Sequence, residues 1–177
     1  MTLTWYLDLL LLGWLWIHSL RLWPTLPDRV PGHVGLRGEI RWDESTILAW
    51  LLLPIVATLS TAAIWIATRY SVRNPRSINI PGKDRLLSLP PNAQRRVLDR
   101  IGGSLGVAAL SATMTLLLCQ EMRYRAALGE AVTPWIVMIL AVAVASGPTI
   151  LITIVLTAQR ALDAETRTTR AGSTGQP

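Results

Sequence analysis

Four long apolar runs constrain this chain more than any other feature of its sequence. They lie at residues 3–23, 46–68, 101–120 and 134–158, and the helices that contain them are expected at about 3–23, 46–69, 92–122 and 134–160. About 20 apolar residues in a helix span the hydrocarbon core of a bilayer, and only helices or closed barrels satisfy their own backbone hydrogen bonds there. The sequence therefore predicts an all-α, integral membrane four-helix bundle over residues 1–162, without a substantial β-sheet.

The distribution of charge supports the same prediction. Hydrophobic residues make up 51% of the chain and charged residues 16%, whereas a soluble domain carries about 25% charged residues. Lys and Arg are nearly absent from the apolar runs and concentrate between them. The net charge of +6 therefore indicates basic cytoplasmic loops rather than a nucleic-acid partner, and the lipid bilayer is the expected surrounding.

The basic residues also predict the orientation of the chain. The segment between the first and second runs holds three cationic residues, which four carboxylates offset. Loops rich in Lys and Arg stay in the cytoplasm, so both termini are expected to be cytoplasmic and the first and third loops to face outward. The segment between the second and third runs holds eight cationic residues: Arg69, Arg73, Arg76, Lys83, Arg85, Arg95, Arg96 and Arg100.

Two segments on the cytoplasmic side are expected to differ in their degree of order. Apolar residues among the cations of the basic loop, such as Ile80 and Leu86, suggest that this loop lies on the membrane surface. Residues 163–177 lack large apolar side chains beyond the last run. They are expected to form a disordered cytoplasmic tail.

Small residues recur at a four-residue spacing in the third run. Gly102 and Gly106 form a Gly-x-x-x-Gly pair, a spacing that lets helix backbones approach closely. We expect it to serve helix packing within one chain, with a dimer face as the alternative.

The first outward loop is rich in proline and glycine over residues 26–42. Pro27 and Pro31 restrict the backbone and Gly38 permits a tight turn, so the loop is expected to be ordered. The pattern Leu-Pro-x-x-Val-Pro-x-His that begins at Leu26, followed by Gly38 and Trp42, resembles the signature of a bacterial membrane family of unknown function. That family forms the amino-terminal half of SdpI-type immunity proteins, which protect cells from a secreted toxic peptide.

The resemblance implies a multi-pass protein of the bacterial plasma membrane, with a role in envelope stress or in tolerance of a peptide toxin. Two roles are open for the first loop: a rigid cap that closes the bundle, or a recognition surface for a peptide, a lipid or another membrane protein. The sequence leaves the oligomeric state open. The candidate binding residues of the second role are Pro27, Pro31, His33, Gly38 and Trp42.

The two histidines, His18 and His33, give little indication of chemistry. With Glu39 and Asp43 they could form a zinc site, but their spacing matches no standard metal motif, and a His33 that hydrogen-bonds to loop backbone is the favoured alternative. Cys119 would need a nearby base for nucleophilic catalysis, and His33 is the candidate. The chain has no standard catalytic motif. A non-enzymatic protein without a metal or cofactor is expected.

Ionisable residues inside the apolar runs distinguish two functional classes. A transporter or channel should place such residues midway across the membrane, and the central parts of the second, third and fourth runs have none. Asp8 and Arg21 lie near the ends of the first run, where snorkelling to the headgroups is favoured over a polar pathway. The sequence therefore favours a membrane protein that binds another membrane protein or a peptide. The alternative is a small transporter or channel component.

Overall fold

The computed structural model describes residues 2–35 and 37–173, with side chains as far as residue 167 in the last helix. Short 3₁₀ turns at Trp23–Thr25 and Pro75–Ser77 follow the first two long helices. The elements in chain order are α1 (Leu3–Leu22), β1 (Arg29–Val34), β2 (Ile40–Glu44), α2 (Ile47–Arg73), α3 (Lys83–Ser88), α4 (Pro91–Ala127) and α5 (Thr133–Ser173).

Four of these helices, α1, α2, α4 and α5, are long and apolar enough to cross a membrane. This agrees with the predicted α-helical bundle and with a multi-pass membrane protein. Local signals set where two of them begin. The Ala49 N–H donates to the Thr46 Oγ1 at 3.2 Å, which caps the start of α2. Pro91 occupies the first turn of α4, where its missing N–H costs no helical hydrogen bond.

Helix α4 is the centre of the bundle, and α1, α2 and α5 all pack against it. Two glycines on α4 permit the close approach. A Cβ atom on Gly102 would lie 2.7 Å from Thr68 of α2, and one on Gly106 would lie 2.6 Å from Thr4 of α1. The prediction that these glycines serve packing within one chain is therefore confirmed.

The first loop contains a β-hairpin where the sequence predicted only an ordered loop and no substantial sheet. Strands β1 and β2 pair antiparallel from Arg29 opposite Glu44 to Val34 opposite Ile40, with a bulge between Pro31 and His33. Gly38 makes the connection possible because its φ of 86° is strained for residues with a side chain. The end of the bundle that carries this hairpin is called the hairpin end, and the opposite end the basic end.

At the basic end, the loop between α2 and α4 packs against the helices. The predicted position of its apolar residues on the membrane surface is therefore wrong for Leu86 and Leu89, which are buried. Leu86 and Leu89 pack against apolar side chains of α4 and α5 instead of facing lipid. The resulting core cluster comprises Leu86, Leu89, Ala93, Val97, Leu98, Ile101, Ala158, Ala161 and Leu162.

Helix α5 continues to Ser173, although the sequence predicted a helix end near residue 160 and a disordered tail over residues 163–177. The Nε and Nη2 atoms of Arg96 on α4 donate to the Glu165 carboxylate at 2.9 and 2.7 Å. Together with the buried Leu162, this pair attaches the extension to the bundle. Residues 174–177 of the predicted tail lie outside the described residues.

Candidate functional site

Arg123 of α4 anchors the hairpin to the bundle. Its Nε donates to the Pro31 carbonyl at 3.0 Å and its Nη2 donates to the Ala49 carbonyl at 3.2 Å. The guanidinium also lies over the Trp50 ring, 5.4 Å from the ring centroid. Because the guanidinium presents its donors in a fixed planar fork, these contacts fix β1 relative to both α2 and α4.

Trp50 extends this anchor to α1. Its side chain is fully buried, and its indole Nε1 donates to the Ser19 carbonyl at 2.8 Å. The Trp50 carbonyl accepts from the Gln120 Nε2 at 3.3 Å. The layer of the bundle next to the hairpin is therefore joined across α1, α2 and α4 by hydrogen bonds as well as by packing.

One side of the hairpin packs on the bundle and the other side is exposed. Val30 and Pro31 are fully buried. Val34 and Ile40 pack against a small core around Met122. Every residue from 41 to 44 on β2 is exposed, and Trp42 keeps 44% of its surface accessible. The hairpin is thus a rigidly attached element that presents one strand to its surroundings.

The five predicted binding residues separate into two groups. Pro27, His33 and Trp42 are exposed. Pro31 of β1 is buried against the bundle, and Gly38 forms the turn of the hairpin, so these two residues have structural roles. Pro27 and Trp42 come together in one shallow groove of about 550 Å³, which is lined by Pro27, Asp28, Arg29, Trp42 and Ala127.

Strand β2 forms an exposed edge of the hairpin. The Asp28 carbonyl accepts from the Ser45 N–H at 2.8 Å, so the alternation of an antiparallel ladder makes Val30 and Asp43 the next hydrogen-bonded pair. The main-chain groups of Trp42 and Glu44 consequently point away from β1. Pro31 lies opposite Trp42, and its carbonyl likewise points away from the partner strand, toward Arg123. An exposed strand edge of this kind can pair with a further strand.

His18 lies in an ion-pair network and not in the zinc site considered from the sequence. Its Nε2 is 2.9 Å from the Glu121 Oε2, while the Arg125 Nε donates to the Glu121 Oε1 at 2.7 Å. The Nη1 of Arg125 donates to Glu130 at 3.0 Å. Among residues 2–35 and 37–173, no group of three or more His, Cys, Asp or Glu is placed to bind a metal. Cys119, the candidate nucleophile, is half-buried on α4.

His33 is exposed on β1. Within the part of the chain that the structure describes, its imidazole makes no hydrogen bond. The predicted hydrogen bond from His33 to loop backbone is therefore not formed, because the strand directs this side chain outward. An exposed imidazole remains free to contact a binding partner.

Asp8 lies inside the bundle, so the prediction that it snorkels to the headgroups is wrong. Its side chain is 0% exposed. The Thr61 Oγ1 of α2 donates to its Oδ2 at 3.1 Å, and the Thr113 Oγ1 of α4 donates to its Oδ1 at 2.7 Å. Both carboxylate oxygens are therefore engaged by neighbouring helices. Arg21 is exposed, as snorkelling requires.

The partners of Asp8 show that it lies far from both ends of the bundle. Thr61 is about 12 Å along α2 from Arg69 at the basic end. Thr113 is about 12 Å along α4 from Glu121 at the hairpin end. By sequence, residues 47–68 of α2 and 101–118 of α4 contain no ionisable side chain. A carboxyl group at such a depth is costly and commonly has a function.

Sequence reasoning missed the role of Arg123 and the burial of Asp8. Asp8 shares a spacing of three and four residues with the other buried residues of α1, namely Trp5, Leu12, Leu15 and Ser19. That spacing was a usable signal for the buried face. However, α1 carries exposed Leu10 and Trp14 on its other faces, so hydrophobicity alone does not identify the stripe. No signal in the sequence connects Arg123 to the Pro31 carbonyl.

Comparisons of the chain with protein-family models, with curated proteins and with solved structures gave no match. The resemblance of the first loop to the SdpI-type family accordingly stays a prediction from the sequence.

Proposed function

We propose that this chain is a non-enzymatic membrane protein that binds an extended segment of a peptide, or of another membrane protein, at the edge of β2. The observation that supports the proposal is an exposed strand edge on a hairpin that Arg123 fixes to the bundle. Binding surfaces are commonly loops positioned by a rigid scaffold. The Arg123 contacts supply the scaffold, and β2 supplies the surface.

The binding mode that follows is strand addition. A partner strand would pair with the outward main-chain groups of Trp42 and Glu44, which gives affinity without demanding a particular sequence. The neighbouring groove between Pro27 and Trp42 would receive one side chain of the partner and so add selectivity. The resemblance to SdpI-type proteins points to a peptide toxin as one such partner, in tolerance of the toxin or in envelope stress.

The proposal also includes a location and an orientation. The protein would lie in the bacterial plasma membrane with both termini cytoplasmic and the hairpin outside, since the eight cations between residues 69 and 100 favour the cytoplasm. Thiol labelling on a Cys119→Ser background tests this. A cysteine at the exposed Ser77 should react only after the membrane is permeabilised. Reaction of Ser77→Cys in intact cells would show that the basic end faces outward, which is the opposite orientation.

A proline at residue 44 tests the binding mode. Glu44→Pro removes the main-chain N–H that points away from β1, while Glu44→Ala keeps it and removes the same charge. A hydrogen bond contributes about 1 kcal/mol, so Glu44→Pro should weaken binding of a partner about fivefold, and Glu44→Ala should leave binding nearly unchanged. Equal binding by both variants, with equal thermal stability in detergent, would exclude pairing at this edge.

The partner itself can be identified by photo-crosslinking. A photoreactive amino acid at the exposed Trp42 should crosslink a partner that mass spectrometry of the solubilised complex then identifies. The same amino acid at Ser77, on the basic end, is the matched control. The Glu44→Pro change should reduce the yield from residue 42. A yield that is equal from both positions contradicts a site on the hairpin.

The alternative function, a small transporter or channel component, is favoured by Asp8 alone. A transport pathway is expected to place an ionisable group midway across the membrane, and Asp8 is such a group. Purified protein in liposomes tests this alternative. Solute or ion flux that requires Asp8, with no effect of Glu44→Pro, would replace the peptide-binding proposal.

A further inference from the structure

Asp8 lies in an environment that does not suit a permanent charge. Its side chain is completely buried, and its carboxyl accepts hydrogen bonds from the hydroxyls of Thr61 and Thr113. An isolated carboxylate in an apolar interior is strongly disfavoured unless it is paired with a cation. Among the described residues, no cationic side chain forms an ion pair with Asp8.

The helices around Asp8 offer nothing that titrates close to it. By sequence, residues 47–68 of α2, 101–118 of α4 and 134–159 of α5 contain no Asp, Glu, His, Lys, Arg, Cys or Tyr. On α1 itself, Tyr6 is exposed and His18 pairs with Glu121 toward the hairpin end. Because no cationic side chain lies close to Asp8, we expect a proton to be the cation that neutralises it.

We propose that Asp8 is an exchangeable proton site within the bundle. In the ionised state its oxygens accept from both threonine hydroxyls, which lie 3.1 and 2.7 Å away. When a proton binds to one carboxyl oxygen, that O–H donates to the facing threonine oxygen, since a hydroxyl both donates and accepts. The threonine hydroxyl then turns to the carbonyl four residues earlier, as Thr58 and Thr68 do at 2.8 Å each. The site accommodates both states without moving a helix.

A route for the proton begins at Thr61. Besides donating to Asp8, Thr61 lines a cleft of about 330 Å³ between α1 and α2. Trp5 and Trp65 line this cleft too, and they also line a second cleft of about 420 Å³ whose other residues include Thr68, Arg69 and Asp99 at the basic end. Both clefts lie where α1 meets α2, so we expect exchange to occur on this side of the bundle.

Dicyclohexylcarbodiimide is the probe for this site, because it is apolar and reacts only with protonated carboxyl groups. The carboxyl proton moves to a nitrogen of the reagent and the carboxylate oxygen adds to its central carbon, so mass spectrometry detects one added equivalent on the peptide that contains Asp8. Labelling should fall as the pH rises. Asp8→Asn should abolish it. Asp84→Asn, which removes an exposed carboxyl on α3, should leave it unchanged.

Infrared difference spectra between acidic and alkaline pH give a second readout that needs no reagent access. The wild type should show the carbonyl stretch of a protonated carboxylic acid at acidic pH, and Asp8→Asn should lose that band. Thr61→Val and Thr113→Val should shift its frequency. Identical infrared difference spectra of the wild type and Asp8→Asn between acidic and alkaline pH would overturn the proposal. Peptide binding at the hairpin is an independent property, and Asp8→Asn is expected to retain it.

Discussion

The two ends of the bundle use arginine in different ways. At the hairpin end, Arg123 donates to two main-chain carbonyls, those of Pro31 and Ala49, and lies over Trp50. At the basic end, Arg96 donates to the carboxylate of Glu165. The first arrangement attaches the main chain of the hairpin to the helices, with which the hairpin forms no β-ladder. The second joins two regular helices that already pack against each other. We therefore expect the hairpin end to depend more on its single arginine.

The largest effect is expected from Arg123→Ala. It leaves the Pro31 and Ala49 carbonyls without their donor, and hydrogen bonds to a charged group contribute about 1.5–3 kcal/mol each. We expect a loss of about 3 kcal/mol of stability in detergent and faster proteolysis within residues 29–44. Arg125→Ala is the control, since it removes partly exposed ion pairs and should cost clearly less stability than Arg123→Ala. Equal losses of stability in the two variants would show that the main-chain hydrogen bonds of Arg123 contribute no more than the ion pairs of Arg125.

A somewhat smaller effect is expected from Gly106→Val, between the two ends. The new Cβ would lie 2.6 Å from the Thr4 Oγ1 and 3.1 Å from the Trp5 Nε1, and overpacking of this kind costs about 1–3 kcal/mol. Separation of α1 from α4 should also alter the Trp fluorescence. Gly147→Ala is the control, because nothing lies within 4 Å of its added Cβ. That change should be neutral or slightly stabilising.

At the basic end, Arg96→Ala should cost less stability than Arg123→Ala, because the arginine side chain is 53% exposed while its partner Glu165 is 8% exposed. Arg85→Ala removes a pair with Asp163 in which both side chains are about half exposed, so about 0.5 kcal/mol or less is expected. Thermal unfolding at low and high salt measures both. A loss at Arg96 as large as that at Arg123 would remove the distinction between the two ends.

The smallest effect on stability is expected from His33→Ala. The side chain is exposed on β1, and surface substitutions usually change stability by less than about 0.5 kcal/mol. Pro31→Ala, two residues earlier and fully buried, should be clearly destabilising in the same assay. If the hairpin is a recognition surface, His33→Ala should nevertheless weaken partner binding. An unchanged affinity would remove His33 from the binding surface and leave the edge of β2 as the site.

The same contrast explains how much of the fold could be predicted from the sequence. The long helices follow from the length of the apolar runs, because a bilayer requires helices of about that length. The β-hairpin was not predicted. Pro27 and Pro31 indicate irregular backbone, and the pairing partner of β1 depends on the turn at Gly38. The ordered extension of α5 was also missed, since Arg96 and Glu165 are distant in sequence and composition does not reveal their pairing.

For the candidate site, the sequence drew attention to residues of the first loop and gave no indication of the buried polar groups. Trp42 and Pro27 were selected by a short pattern and do share a groove. Asp8 was assigned to the membrane surface because it lies close to the start of its own helix. Its depth is set by where Thr61 and Thr113 fall on two other helices. That information exists only after the helices have been assembled.

The central position of α4 has a consequence for biosynthesis. The hydrogen bond between Asp8 and Thr113 joins residues 105 positions apart, and Trp5 donates to the Gly102 carbonyl over a similar distance. At about 5–20 residues per second, a ribosome needs roughly 5–20 s to reach Thr113 after it has made Asp8. During that interval α1 has already emerged with its carboxyl group and with only α2 available as a neighbour. The first helix of this protein therefore reaches its native surroundings only after much of α4 has been synthesised.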